Sequence, residues 1–94
     1  LKSIAQRTAE HFGLTLRDLK SDSRRRTIVA ARDNAILLAR RLTHRSLQEI
    51  GEYFGNRDHT TVMSAVRKIE SQRETDPEVR AHLEALERKL AVGD

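Results

Sequence analysis

The run Gly55-Asn56-Arg57-Asp58-His59-Thr60-Thr61-Val62 places an unusually dense set of hydrogen-bonding side chains at one point of the chain: a guanidinium, a carboxylate, an imidazole and two hydroxyls. Gly55 can take the left-handed backbone that ends a helix, and Asp58 suits the N-cap of the next one. From there Val62, Ala65, Val66 and Ile69 recur at helical spacing, so one stripe is buried and the polar residues project from the exposed N-terminus. In a helix-turn-helix, side chains at that position reach base edges in the DNA major groove. Taken alone, the run also fits a simpler reading in which Asp58 only caps and the threonines are ordinary first-turn residues.

The preceding segment favours the first reading. Ser46-Leu47-Gln48-Glu49 has the form of a capping box, with Ser46 as N-cap and Glu49 at the third helical position. The helix it opens carries Leu47, Ile50, Tyr53 and Phe54 toward one side, and Gly55 ends it. A turn of about three residues then leads into the next helix, as in a helix-turn-helix. Gly51 inside the first helix costs about 1 kcal/mol of propensity relative to alanine. Its expected use is to let the second helix approach closely.

Arg57 can brace the turn or meet a phosphate. Asp58 can cap and also accept a hydrogen bond from a cytosine amino group. His59 can meet a base edge or thymine methyl, and Thr60 and Thr61 offer methyls and hydroxyls to bases or phosphates. A second cluster, Arg24-Arg25-Arg26, suits a loop reaching a narrow, A·T-rich minor groove, or simply a solvated basic loop.

Catalysis finds little support. No G-x-x-x-x-G-K-[ST] phosphate loop occurs, and His11, His44, His59 and His82 are scattered without helical His pairs. Asp58, His59 and Thr60 are adjacent on a helix and diverge. The expectation is a chain with no enzymatic activity, no catalytic or metal site and no cofactor.

These residues need a scaffold, and the chain reads as one domain over 1–94, all-α, with about six helices. A first helix lies within 1–13, with Ser3 expected as cap, Ile4, Ala5, Thr8, Ala9 and Phe12 inward, and Gly13 and Leu14 closing it. A short turn follows at Leu16–Leu19 and a basic loop at Ser21–Arg26. The long core helix, 27–42, has Thr27 expected as cap and Ile28, Ala31, Ala35, Leu38 and Leu42 inward. The helix-turn-helix occupies 46–74. The last helix, 76–91, has Asp76 as cap, Pro77 at its first position and Val79, Leu83, Leu86 and Leu90 inward. Ninety-four residues can hold one core without metals or disulfides. The absence of cysteine and of a membrane-length apolar run fits a cytoplasmic protein. Net charge is +4, but residues 20–45 carry +6 and residues 70–94 carry −3. Segregation on that scale favours a polyanion footprint at one end.

The run SLQEIGEYFGNRDHTTVMSAVRKIE resembles the signature of the C-terminal DNA-binding domain of the bacterial DnaA replication initiators. The upstream run IAQRTAEHFGLTLRDLKSDSRRRTIVAARDNAILLARRLT is similar to the rest of that domain in order and spacing, so the resemblance covers roughly residues 3 to 75. It implies sequence-specific binding to duplex DnaA boxes, TTATCCACA-like sites at the chromosomal origin. It also implies base and phosphate contacts from the His59-Thr60-Thr61 run, a minor-groove role for Arg24, backbone contacts from Arg26 and Arg32, and a further contact position at Leu47 and Gln48. Arg32 and His59 are expected on exposed faces. ATP is expected only in an N-terminal ATPase domain outside this chain, and that domain would be a partner. Two other readings stay open: a transcription regulator or transposon-associated protein using the same domain, and a protein- or acidic-lipid-interaction module based on the amphipathic first helix. The chain departs from the family pattern with Gln48 for proline, Asn56 for glycine, Ala31 for proline and Asp33 for glutamine. Asp33 puts a carboxylate near an expected phosphate contact.

Overall fold

The helix over Arg26–Leu42 (α3) is the axis of the molecule, because residues 31 to 39 are buried on every side. A helix so enclosed needs partners all round. In the computed structural model, which describes residues 1–92, they are α1 (Lys2–His11), α2 (Leu16–Lys20), α4 (Leu47–Tyr53) and α5 (His59–Thr75). The sixth helix, α6 (Pro77–Val92), packs on α5 and α1, and no strand occurs among the described residues. The stripes meet in one core that includes Ala5, Leu19, Leu38, Phe54, Val62, Ile69, Leu83 and Leu86.

Local chemistry sets most helix ends. Leu14 N–H donates to Ala9 O (2.8 Å) and Gly13 N–H to Glu10 O (3.1 Å), a Schellman motif around Gly13 at φ +70°. Ser46 and Glu49 form the expected capping box. Thr15 and Asp18 form another at the start of α2. Asp76 Oδ1 accepts from Glu78 N–H (2.9 Å), capping α6 above Pro77.

Two expected caps are absent. α1 begins at Lys2 with Leu1 as N-cap, so Ser3 lies inside the helix. α3 begins at Arg26 with Arg25 as N-cap, leaving Thr27 in the first turn. Neither N-cap makes a side-chain bond. Leu42, expected inward, is 49% exposed. α3 ends at this residue and Thr43 is already extended, so no neighbour covers it. The apolar face of α1 packs in the core through Ile4, Ala5, Thr8 and Ala9. A lipid surface would have to compete with the core for that face, which removes the basis of the membrane reading. No helix among the described residues is long and apolar enough to cross a membrane.

Candidate nucleic-acid interface

At the start of α5 the Asp58 backbone is extended, and its Oδ1 accepts from Thr61 N–H at 2.8 Å. That bond lowers the carboxyl pKa and keeps the group ionised. His59, Thr60 and Thr61 are exposed, while Val62 directly after them is fully buried. The first turn of α5 is thus polar and open, and its rear is fixed in the core.

The turn before it is built from two left-handed residues, Gly55 (φ +94°) and Asn56 (φ +59°). Asparagine is among the few side chains that adopt this region readily, so Asn56 fits the second left-handed position of the turn. Gly51 has a more specific use than the sequence suggests. A Cβ there would overlap the carbonyl oxygen of Arg57, in the turn itself, and would stand 3.1 Å from Val62 Cγ2. Arg57 N–H in return donates to Gly51 O at 2.8 Å.

Arg32 corrects the sequence reading. It is 5% exposed, and its guanidinium donates to three carbonyls: Leu19 O (2.9 Å) from Nε, and Ser21 O (2.9 Å) and Ser23 O (3.1 Å) from Nη2. The end of α2 and the loop after it fold over Arg32 and present these carbonyls to its guanidinium. Burial first, and the neighbouring Arg57 cation second, lower its pKa. Arg57 takes the bracing role, donating to Phe54 O in the turn and to Ser21 O (2.9 Å) across it.

Arg24 and Arg26 are exposed, the latter as the first residue of α3. They share the rim of a concavity of about 450 Å³ with Lys68 of α5. Leu47 is partly buried against the core, so it offers only part of its surface, whereas Gln48 is exposed and donates to Glu52 Oε2 at 3.4 Å. A groove of about 270 Å³ between α3 and α5 brings Arg57, Thr61, Ser64 and Lys68 together. Ser64 and Lys68 were missed from sequence. Their offset of three and seven residues from Thr61, one face of the same helix, is the signal that finds them. Lys68 Nζ also pairs with Asp33 at 3.1 Å, so the unusual carboxylate is neutralised rather than aimed at a phosphate. Away from this face, His11 Nε2 and His82 Nδ1 lie 2.9 Å apart, joining α1 to α6 across a separation that motif spacing cannot show.

Residues 1–69 match the profile of the bacterial dnaA protein helix-turn-helix. The chain belongs to the bacterial DnaA helix-turn-helix family. Among its curated relatives, the chromosomal replication initiator proteins DnaA of Caulobacter sp. (strain K31) and Geobacter sp. (strain M21) are 48% and 43% identical over 90 residues, 96% of this chain. That of Cereibacter sphaeroides (strain ATCC 17029 / ATH 2.4.9) is 46% identical over the same length. The chain spans about a fifth of the length of these relatives. The DnaA family match runs from α1 into α5 and includes every candidate residue named above, while α6 lies beyond it.

Proposed function

We propose that this domain is a non-catalytic, sequence-specific reader of duplex DNA that tethers a replication initiator to DnaA-box-like sites at the chromosomal origin. The observation that carries the reading is the open His59-Thr60-Thr61 turn at the head of an α5 anchored by Val62, Ala65, Val66 and Ile69. A helix with a polar exposed N-terminus and a fixed rear face can enter a major groove without repacking. Arg24 supplies minor-groove readout, Arg26 meets phosphate, and Arg32 acts behind the surface. ATP chemistry belongs to sequence outside residues 1–94.

Fluorescence anisotropy of His59→Ala on a TTATCCACA box and on scrambled duplex tests the assignment. Loss of a base-edge contact should cost roughly 1–3 kcal/mol on the box and little on scrambled DNA. Equal losses on both would make His59 a nonspecific contact and remove the central reading residue.

A further inference from the structure

The loop carrying Arg24 is held to the turn opening the recognition helix at Lys20 and Ser21, and to α3 at Ser21 and Ser23. Arg57, in the turn, donates to Ser21 O, and Arg32, from α3, donates to the same oxygen and to Ser23 O, one residue before Arg24. At Gly55, a Cβ would stand 2.6 Å from Lys20 O, so the absence of a side chain lets the start of the loop lie directly on the turn. Lys20 Nζ sits 4.3 Å from the ring centroid of Tyr53, the last residue of α4. Two guanidinium groups converging on one carbonyl repel each other, and each gives up contacts with water to reach it. Such an arrangement persists where the oxygens it gathers have no better donors. It therefore fixes the loop relative to the turn.

We propose that Arg57 is a positioning residue for minor-groove readout: through Ser21 O it holds the Arg24 loop at a set offset from the Asp58–Thr61 turn, so that the two grooves are read as one rigid unit. The inference rests on the duplex-reading function above and adds to it a route by which a residue of the turn controls sequence preference in the other groove. Without Arg57 the loop keeps its Arg32 bonds to α3 and its start stays against Gly55, but Ser21 O loses its hydrogen bond to the turn, so the stretch from Ser21 to Arg24 is held less closely and Arg24 samples the minor groove from a wider range of positions. Ordering that loop on binding then opposes affinity.

Base analogues separate the grooves. Replacing adenine by 2,6-diaminopurine adds a minor-groove amino group to an A·T pair and leaves its major-groove edge unchanged, whereas deoxyuridine for thymidine removes only the major-groove methyl. Anisotropy would be measured on boxes carrying each analogue, for the 94-residue parent, Arg24→Ala, Arg57→Ala and Arg57→Lys. In the parent, diaminopurine at the pair facing Arg24 should weaken binding about tenfold, and Arg24→Ala should abolish that penalty. Arg57→Ala should shrink the penalty to about twofold while leaving the deoxyuridine penalty intact, and Arg57→Lys, with fewer donors, should fall between them. A full diaminopurine penalty in Arg57→Ala overturns the proposal. So does loss of both penalties together, which would mean that Arg57 merely holds up the whole turn. No diaminopurine penalty in the parent overturns the minor-groove reading of Arg24 itself, a distinct outcome. If Arg57→Ala does not fold, Arg57→Lys carries the same comparison, and an undiminished diaminopurine penalty in it overturns the proposal.

Discussion

Replacing Arg32 by alanine separates a residue that builds the site from one that touches DNA. The truncation removes donors from Leu19 O, Ser21 O and Ser23 O, the first of them in a buried bond. A buried carbonyl left without a partner costs about 1–3 kcal/mol; loss of the hydrogen bonds at Ser23 O, partly rehydrated, and at Ser21 O, which keeps its Arg57 donor, costs about 0.5–1 kcal/mol each. The total is roughly 2–5 kcal/mol, a large share of the stability of a domain this size. At about 4–8 °C per kcal/mol, the melting temperature should fall by at least about 8 °C. Circular dichroism melts would read this, with Arg32→Lys expected in between, since an ammonium cannot span all three acceptors, and Arg32→Met close to alanine. Box affinity at a temperature where both proteins are folded should fall less steeply than stability. A melt within about 2 °C of the parent, together with weaker binding to all duplexes, would make Arg32 a surface tether and refute the argument.

Gly51→Ala gains about 1 kcal/mol of helix propensity but drives a methyl into the Arg57 carbonyl, and overpacking of about 1–3 kcal/mol should win. The variant should melt lower and bind the box more weakly, and a raised melting temperature would contradict this. A pH series tests the α1–α6 seam, where Lys89 Nζ stands 3.0 Å from His11 Nδ1 and His82 faces the other ring nitrogen. Burial first, then Lys89 and His82, lowers the His11 pKa below its ordinary 6.5. The unfolded chain therefore binds this proton more readily, so stability is full above about pH 6.5 and declines as pH falls through the lower folded value. Melts between pH 7.5 and 5.5 should drop for the parent and flatten for His11→Leu. The lowered carboxyls of Asp18, Glu49 and Asp58 act only below about pH 5, outside that window. Equal pH dependence in both proteins would remove His11 as the cause.

Periodicity and capping chemistry made the helices legible. The stripes Val62–Ile69 and Leu83–Leu86 and the Ser46–Glu49 box act within a turn or two of themselves, and the structure has them where the spacing puts them. What sequence hid is decided at a distance. Arg32 lies in a helix whose pattern leaves it outside the apolar stripe, yet a loop from the preceding helix covers it and supplies three acceptors. Leu42 fits the period of α3 but sits where the helix has run past its partners. Ser3 and Thr27 are good capping types placed one or more residues too late, because α1 and α3 begin earlier. At the candidate interface, Asp58 and the His59–Thr61 turn were legible because one turn of helix contains their geometry. The groove residues Ser64 and Lys68, and the Arg57 link to Ser21 O, depend on α3 and the basic loop folding against α5.

The central claim is that a fixed scaffold presents the first turn of α5 to a particular duplex sequence. Anisotropy of the parent chain on a TTATCCACA duplex, a scrambled duplex of the same composition and the box single strand, at one salt concentration, tests it most directly. Specific readers typically prefer their site over other duplex by about 10³-fold or more at physiological salt. The parent should prefer the box by at least about tenfold, the modest end expected of one isolated domain, and bind weakly to the single strand, which offers no major groove. Equal affinity for box and scrambled duplex, or a preference for the single strand, would contradict it.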